Sequence, residues 1–185
     1  MKLNKKNITK SERIWRLNCI NSITGIKPGN LIGTCSKDNK YNLAIFSSVV
    51  HLGSDPAQIG FIIRPQYKNK GHTYINIQQT GFYTINSITK KIYKKAHLTS
   101  AKIKDSEFKI FDIEKDFLDN FHAPFVKESP IKIGMKLEKI IDLPNRCKFV
   151  IGSIELVSVI NSCINSEGQI DLEKCNSIGI SGLNR

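Results

Sequence analysis

A mainly β fold, an antiparallel barrel of about six strands with short helices attached, is what this sequence predicts, and three observations predict it. Apolar runs of strand length, such as Tyr41 to about Val49 and Gln58 to Arg64, follow one another with short turns between. Consecutive strands joined in this way are most simply antiparallel. Ile131, Ile133, Met135 and Leu137 alternate with lysine and glycine, the period-2 pattern of a strand with one buried face. Helical patterns are few and short, which favours a barrel with helical inserts over a layered α/β arrangement.

The elements follow in order. Residues 1–16 carry Lys2, Lys5, Lys6, Lys10, Arg13 and Arg16 against Glu12 alone, and read as a solvated basic arm that becomes ordered near Trp15. Gly25, Pro28 and Gly29 punctuate a bend leading into a strand at about Asn30–Cys35. Ser36–Lys40 is a turn, so that strand and the one from Tyr41 to about Val49 form a hairpin. Leu52–Pro56 reads as another turn, and Gln58–Arg64 is too apolar to be anything but a buried strand. His72-Thr73 offers a cap for a short helix, Tyr74–Thr80, with Gly81 where a C-terminal glycine is favoured. The strand Phe82–Asn86 follows directly.

Lys90–His97 predicts a basic helix, whereas Asp105–Asp119 is acidic, with Phe108, Phe111, Phe117 and Leu118 giving it an apolar side and helix expected toward its later end. Lys127–Leu143 and Cys147–Ile160 are two β-rich runs about a Pro144-Asn145 turn. Beyond Asn161 the chain is polar, with a brief turn or helix at Asp171–Cys175. There is no internal repeat, and 185 residues with 40% hydrophobic content fit one domain, expected to span 1–185, that buries roughly 70% of its unfolded surface.

The net charge of +12 makes nucleic acid, phosphorylated ligands or acidic surfaces natural partners. Five widely spaced cysteines suggest neither a paired disulfide framework nor a CxxC motif, and fit a reducing cytosol. The start of the chain lacks the apolar run of a signal peptide, and no stretch approaches the apolar length of a membrane helix; a soluble, cytoplasmic protein is expected. His51, His72, His97 and His122 show no ligand spacing, so no metal is expected. GxGxxG, Walker A, GxSxG and HExxH motifs are absent, which argues against Rossmann, P-loop, α/β-hydrolase and zinc-protease chemistry.

The positive signal is a charge asymmetry. Between Lys40 and Lys104 the one acid is Asp55, against Arg64, Lys68, Lys70, Lys90, Lys91, Lys94, Lys95 and Lys102. An anion is held there if anywhere. A phosphate prefers a helix N-terminus, where unpaired amides and the helix dipole converge, and His72-Thr73 opens such a helix with Arg64 a strand-end away. Ser47 and Ser48, ending an apolar strand, could bond the polar edge of a ring system. Plainer roles fit the same residues: a cap, a strand end, solubility.

Taken together, the blocks NLAIFSSVVHLGSDPAQIGFIIRP, HTYINIQQTGFYTIN, AHLTSAK with Glu107-Phe108 behind it, APFVKESPIKIGMKLE and GISGLNR resemble the flavin reductase-like family of FMN-binding split β-barrel proteins, flavoredoxins among them. The likeness runs from about Ile23 to Gly182. The family's Asn-x-(small)-x-x-Ser block matches Asn42 to Ser48, its HTxxNI helix matches His72, Thr73, Asn76 and Ile77, and its strand ending in Asn matches Asn86; its Asp-Pro-Pro turn lacks the second proline at Asp55-Pro56-Ala57. The resemblance implies a six-stranded split barrel that homodimerises with FMN near the subunit interface. It implies that Phe46, Ser47, Ser48 and Val49 line the isoalloxazine, that Arg64, His72 and Thr73 hold the phosphate, that Asn86 lies beneath the cofactor, and that Thr99, Ser100, Ala101 and Lys102 approach its phosphate or ring edge.

The function expected on that resemblance is an FMN-dependent oxidoreductase that takes hydride from NADH or NADPH. Such transfer between stacked rings needs orientation more than an acid or base, which fits the absence of a catalytic dyad. Two alternatives stand beside it: a flavoredoxin-like carrier fed by a redox protein partner, and a basic nucleic-acid-binding barrel with Trp15, Tyr67 and Tyr74 as stacking residues.

Overall fold

A computed structural model of the chain describes residues 1–67, 70–101, 103 and 105–182. Its centre is a seven-stranded antiparallel sheet built from β2 (Asn30–Cys35), β3 (Tyr41–Phe46), β4 (Val50–Ser54), β5 (Ala57–Ile63), β6 (Phe82–Ser87), β9 (Ile131–Asp142) and β10 (Lys148–Val159). The order is β3-β2-β6-β9-β10-β5-β4, so the two edges belong to strands adjacent in sequence. Two small ribbons accompany it: β1 (Ile26–Pro28) with β11 (Gly179–Ser181), and β7 (Lys115–Asp116) with β8 (Phe125–Val126). The sheet curls into a split barrel.

Alternation along the strands sorts side chains into two cores. Ile32, Phe61, Ile63, Tyr83, Ile85, Met135 and Val150 meet on the inner face, where Tyr74 and Ile77 of helix α3 (His72–Thr80) pack among them. Leu31 and Leu43, one residue out of phase, join Ile88, Ile92, Ala96, Phe108, Ile113 and Val126 on the outer face. There the sheet is covered by α4 (Tyr93–Leu98) and α5 (Glu107–Ile110). Each fully buried side chain of this size contributes about 1.5–3 kcal/mol. Edge strand β3 is protected by the buried carboxylate of Glu107, which accepts the Leu43 amide at 3.0 Å.

Several expectations need correction. Helix begins well before Trp15, as α1 (Lys5–Lys10) and α2 (Arg13–Ser22). Asn4 and Asn7 form a capping box for the first, and Glu12 accepts the Ile14 and Trp15 amides at the head of the second. The strand from Tyr41 ends at Phe46, and most of the expected Leu52–Pro56 turn is instead strand β4, leaving only Asp55 and Pro56 to turn across a cis peptide. Val50 and Leu52 face solvent and a bulge falls between His51 and Gly53, so no buried alternation marks β4.

In Asp105–Asp119 the helix lies at the earlier end, and positive φ angles at Asp112 (49°) and Asp119 (48°) break the chain where helix was expected. The basic helix starts three residues late, at Tyr93. By contrast β2, β6 and the β9–β10 hairpin follow the sequence reading closely. Gly81 ends α3 with φ 75°, a conformation that costs glycine nothing.

Candidate functional site

The predicted site residues fall into three groups. Phe46, at the end of β3 on the inner face, sets its ring edge-on to Phe61 at 5.1 Å. Val49 packs half-buried on the same core, and Ser47 is half-buried with no hydrogen bond to its hydroxyl among the described residues. Ser48 has a different use: its Oγ accepts the Ile62 amide (3.0 Å) and donates to the Ile62 carbonyl (3.1 Å). That pair of bonds ties the β3–β4 connection to β5, across the split.

The second group surrounds the start of α3. Gly71 rather than His72-Thr73 occupies the N-cap, and no side chain caps the helix. Among the described residues the amides of His72, Thr73 and Tyr74 have no partner, the first intrahelical bond being Ile75 N–H to the Gly71 carbonyl at 3.1 Å. Arg64 and His72 are exposed, with neither side chain bonded among the described residues. Lys70 lies over the Tyr74 ring at 5.7 Å.

Gln66 holds this cluster together. Its Nε2 donates to the Arg64 carbonyl (2.7 Å) while its Oε1 accepts the Gly71 amide (2.8 Å), so one side chain joins the end of β5 to the head of α3. Thr73 is buried inside the helix, where its Oγ accepts the Asn42 Nδ2–H at 2.9 Å. Asn76 donates from Nδ2 to Thr34 Oγ at 3.0 Å, completing a polar network between α3, β2 and β3. Sequence reading finds neither Gln66 nor this use of Asn42. Asn42 is marked in the sequence only as the Asn of the family block and as a polar residue near the start of an otherwise apolar strand, neither of which points to Thr73.

The third group lies behind the sheet. Asn86 is fully buried; its Nδ2 donates to the Leu31 carbonyl (3.1 Å) and Thr84 Oγ (2.9 Å), and its Oδ1 accepts the Val126 amide (2.9 Å). Thr99 donates to the Ala96 carbonyl and Ser100 to that of His97, both closing α4, with exposed Ala101 just beyond. Lys102, with Lys68 and Lys104, lies outside the described residues.

A groove of about 410 Å³ opens where Asn30, the cross-strand partner of Phe46, meets Ile85, Ile131, Ile133, Ser177 and Ile178. It is mostly apolar, yet Asn30 Nδ2 and Ser177 Oγ are buried there without a partner among the described residues. No three His, Cys, Asp or Glu side chains among the described residues stand together as a metal would need. No described helix is long and apolar enough to cross a membrane.

These features define a split barrel with an uncapped helix end fringed by cations and, apart from it, a mostly apolar groove. The sequence model of the flavin reductase like domain matches residues 25–168, and the chain belongs to that family. Among solved structures it is similar to a provisionally designated flavin reductase with split barrel domain from Shewanella frigidimarina NCIMB 400. The TM-score is 0.95 and the identity 42%, covering 100% of this chain and 93% of that one. Nitrilotriacetate monooxygenase component B from Bacillus cereus (TM-score 0.88, 17% identity, 100% and 93% covered) shares the fold. So does the flavoredoxin of Desulfovibrio vulgaris (Miyazaki F), with TM-score 0.72, 23% identity, and 84% and 82% covered. A search of curated proteins found no match.

Proposed function

We propose that the protein is an FMN-dependent oxidoreductase that accepts hydride from NADH or NADPH onto the flavin and passes the electrons on. The observation that carries this reading is the N-terminus of α3, where no side chain caps the helix and three amides have no partner among the described residues, beside Arg64, Lys70 and His72 in a stretch of chain almost free of acids. A phosphate monoester dianion fits that cradle, since amides and dipole favour negative charge. About 13 Å along β3 separates Asn42, which bonds Thr73, from Phe46 at the barrel mouth. A mononucleotide, with a ribityl chain between ring and phosphate, spans a comparable distance.

On this reading Arg64, His72, Thr73 and the first amides of α3 hold the phosphate. Phe46, Ser47 and Val49 line the ring, and Ser48 fixes their loop to β5. Asn86 and Thr99, with their own hydrogen bonds satisfied, act from behind as supports of the strand and helix they bond. Ser100 and Ala101, at the end of α4, approach the ring or phosphate edge, and Lys102 is assigned to the same edge. The bound flavin would supply the two-electron chemistry. The chain's own task is to orient the flavin and to exclude water from its buried face, which requires no acid–base pair.

The whole chain, 1–185, acts as one flavin-binding unit with 1–16 its basic arm, in the cytoplasm, as a homodimer. Exposed Ile14, Ile20, Ile23 and Ile26 on α2 and β1 support a second copy as partner, with the flavin near the interface. A flavoredoxin-like carrier that receives electrons from a redox protein would use the same cradle, and the shared fold keeps that reading alive. Against a nucleic-acid-binding barrel stands Tyr74, 6% exposed and thus withdrawn from stacking.

Anaerobic mixing of the FMN-loaded protein with NADH and with NADPH separates the two flavin readings. Bleaching of the flavin absorbance by either nucleotide is the outcome expected of a reductase. Persistent yellow with both, and bleaching only by a reduced protein partner, would leave the carrier.

A further inference from the structure

We infer that Asn42 is a positioning residue for the phosphate: its amide fixes the polarity of the Thr73 hydroxyl, so that Thr73 can only donate to the anion. The inference rests on the reading of α3 as the phosphate cradle. Asn42 and Thr73 are each 7% exposed. Asn42 Nδ2 donates to Thr73 Oγ at 2.9 Å, and its other contact, 3.5 Å to Thr34 Oγ, aims the same nitrogen at a second hydroxyl oxygen. Thr34 Oγ also accepts from Asn76 Nδ2 at 3.0 Å, so two amide donors converge on it. With Nδ2 so placed, Asn42 presents a donor to Thr73.

A hydroxyl has one proton and two lone pairs. With one lone pair taken by Asn42, the Thr73 O–H is directed away from Asn42 and has no acceptor among the described residues. It sits at the second residue of α3, next to the amides of His72, Thr73 and Tyr74, which have no partner among the described residues. Donors to a phosphate are the strong, charge-assisted kind. A carboxylate at position 42 would reverse the arrangement, because it can only accept. Thr73 would then turn its proton inward, and a negative charge would stand behind the anion site.

Dissociation constants of the apoprotein for FMN and for riboflavin, which lacks the phosphate, read this directly. Thr73→Val should weaken FMN at least 10-fold and riboflavin less than 2-fold, whereas Thr73→Ser should restore FMN binding. Asn42→Ala should reduce the FMN-over-riboflavin preference about 5-fold, and Asn42→Asp by more than 10-fold. Asn42→Ala added to Thr73→Val should change nothing further, because Asn42 acts through Thr73. Should Asn42→Ala fail to fold, Asn42→Ser, too short to reach Thr73, takes its place.

The failures are distinguishable. If the unaltered protein binds neither flavin, the flavin reading itself falls, and this inference with it. If Thr73→Val leaves the preference intact, the phosphate lies elsewhere and the inference is overturned along with that placement. If Thr73→Val lowers the preference while both Asn42→Ala and Asn42→Asp leave it at the original value, the role given to Asn42 alone is overturned.

Discussion

Asn86 and Thr73 show how a buried polar side chain is read from its partners. Asn86 bonds two backbone groups on different strands, the Leu31 carbonyl and the Val126 amide, and so locks the β2–β6 pair to β8. Asn86→Ala should therefore be a stability variant, costing about 1–3 kcal/mol for each buried group left unpaired, as read by urea unfolding. Arg64 is the converse case, an exposed cation with no protein partner among the described residues. Arg64→Ala should leave the melting temperature unchanged and weaken FMN binding by about 1.5–3 kcal/mol, the value of a hydrogen bond to a charged group. A scanning-calorimetry trace gives the first number and a calorimetric titration the second. The buried thiol of Cys175 beside Cys163 is pushed up to about 11, chiefly by burial and then by its neighbour. It stays protonated at neutral pH, so alkylation of the native protein should label the less buried Cys19 and Cys147 and spare Cys163 and Cys175.

At the scale of the element, strand β10 carries a testable fit. A Cβ on Gly152 would stand 2.3 Å from Tyr83 Oη and 2.8 Å from the Lys136 carbonyl oxygen. Gly152→Ala should cost about 1–3 kcal/mol through overpacking. The Tyr83 hydroxyl is buried without a partner among the described residues, so Tyr83→Phe should be nearly neutral alone and recover much of the Gly152→Ala loss when combined with it. Helix α2 has its own pH dependence. The Trp15 and Ile14 amides hold the Glu12 carboxyl below its ordinary value of 4.5. A depressed carboxylate stabilises the helix above that ordinary value and ceases to as pH falls through the lowered one, so α2 should fray at acid pH. Amide exchange at Trp15 measures it.

Which elements were legible in the sequence follows from where their side chains point. β2 and β6 are buried on both faces, and β9 and β10 in part, so an apolar run or an alternation betrays them. β4 turns Val50 and Leu52 to solvent and contains a bulge, so it looked like a turn. Around the site, Arg64, His72 and Thr73 were marked by charge and by the helix start. The Asn42–Thr73 bond was not, because a side-chain contact between residues 31 apart leaves no local pattern, and the Gln66 clamp was not, because a lone glutamine in a polar connection carries no motif.

For the whole molecule, the excess of 28 basic over 16 acidic residues is not spread evenly, and the acid-poor stretch supplies the cradle. Exposed isoleucines on α2 and β1, with Ile26 80% exposed, are the surface on which a second copy would sit. For the homodimer proposed above, Ile26→Glu should shift sedimentation from dimer to monomer. The central claim, that this split barrel holds a flavin by its phosphate at the head of α3, is tested most directly by titrating the apoprotein with FMN and with riboflavin at equal ionic strength. The account predicts that FMN binds at least tenfold more tightly, with the difference shrinking in Arg64→Ala. Equal affinity for the two flavins, or no binding of either, would contradict it.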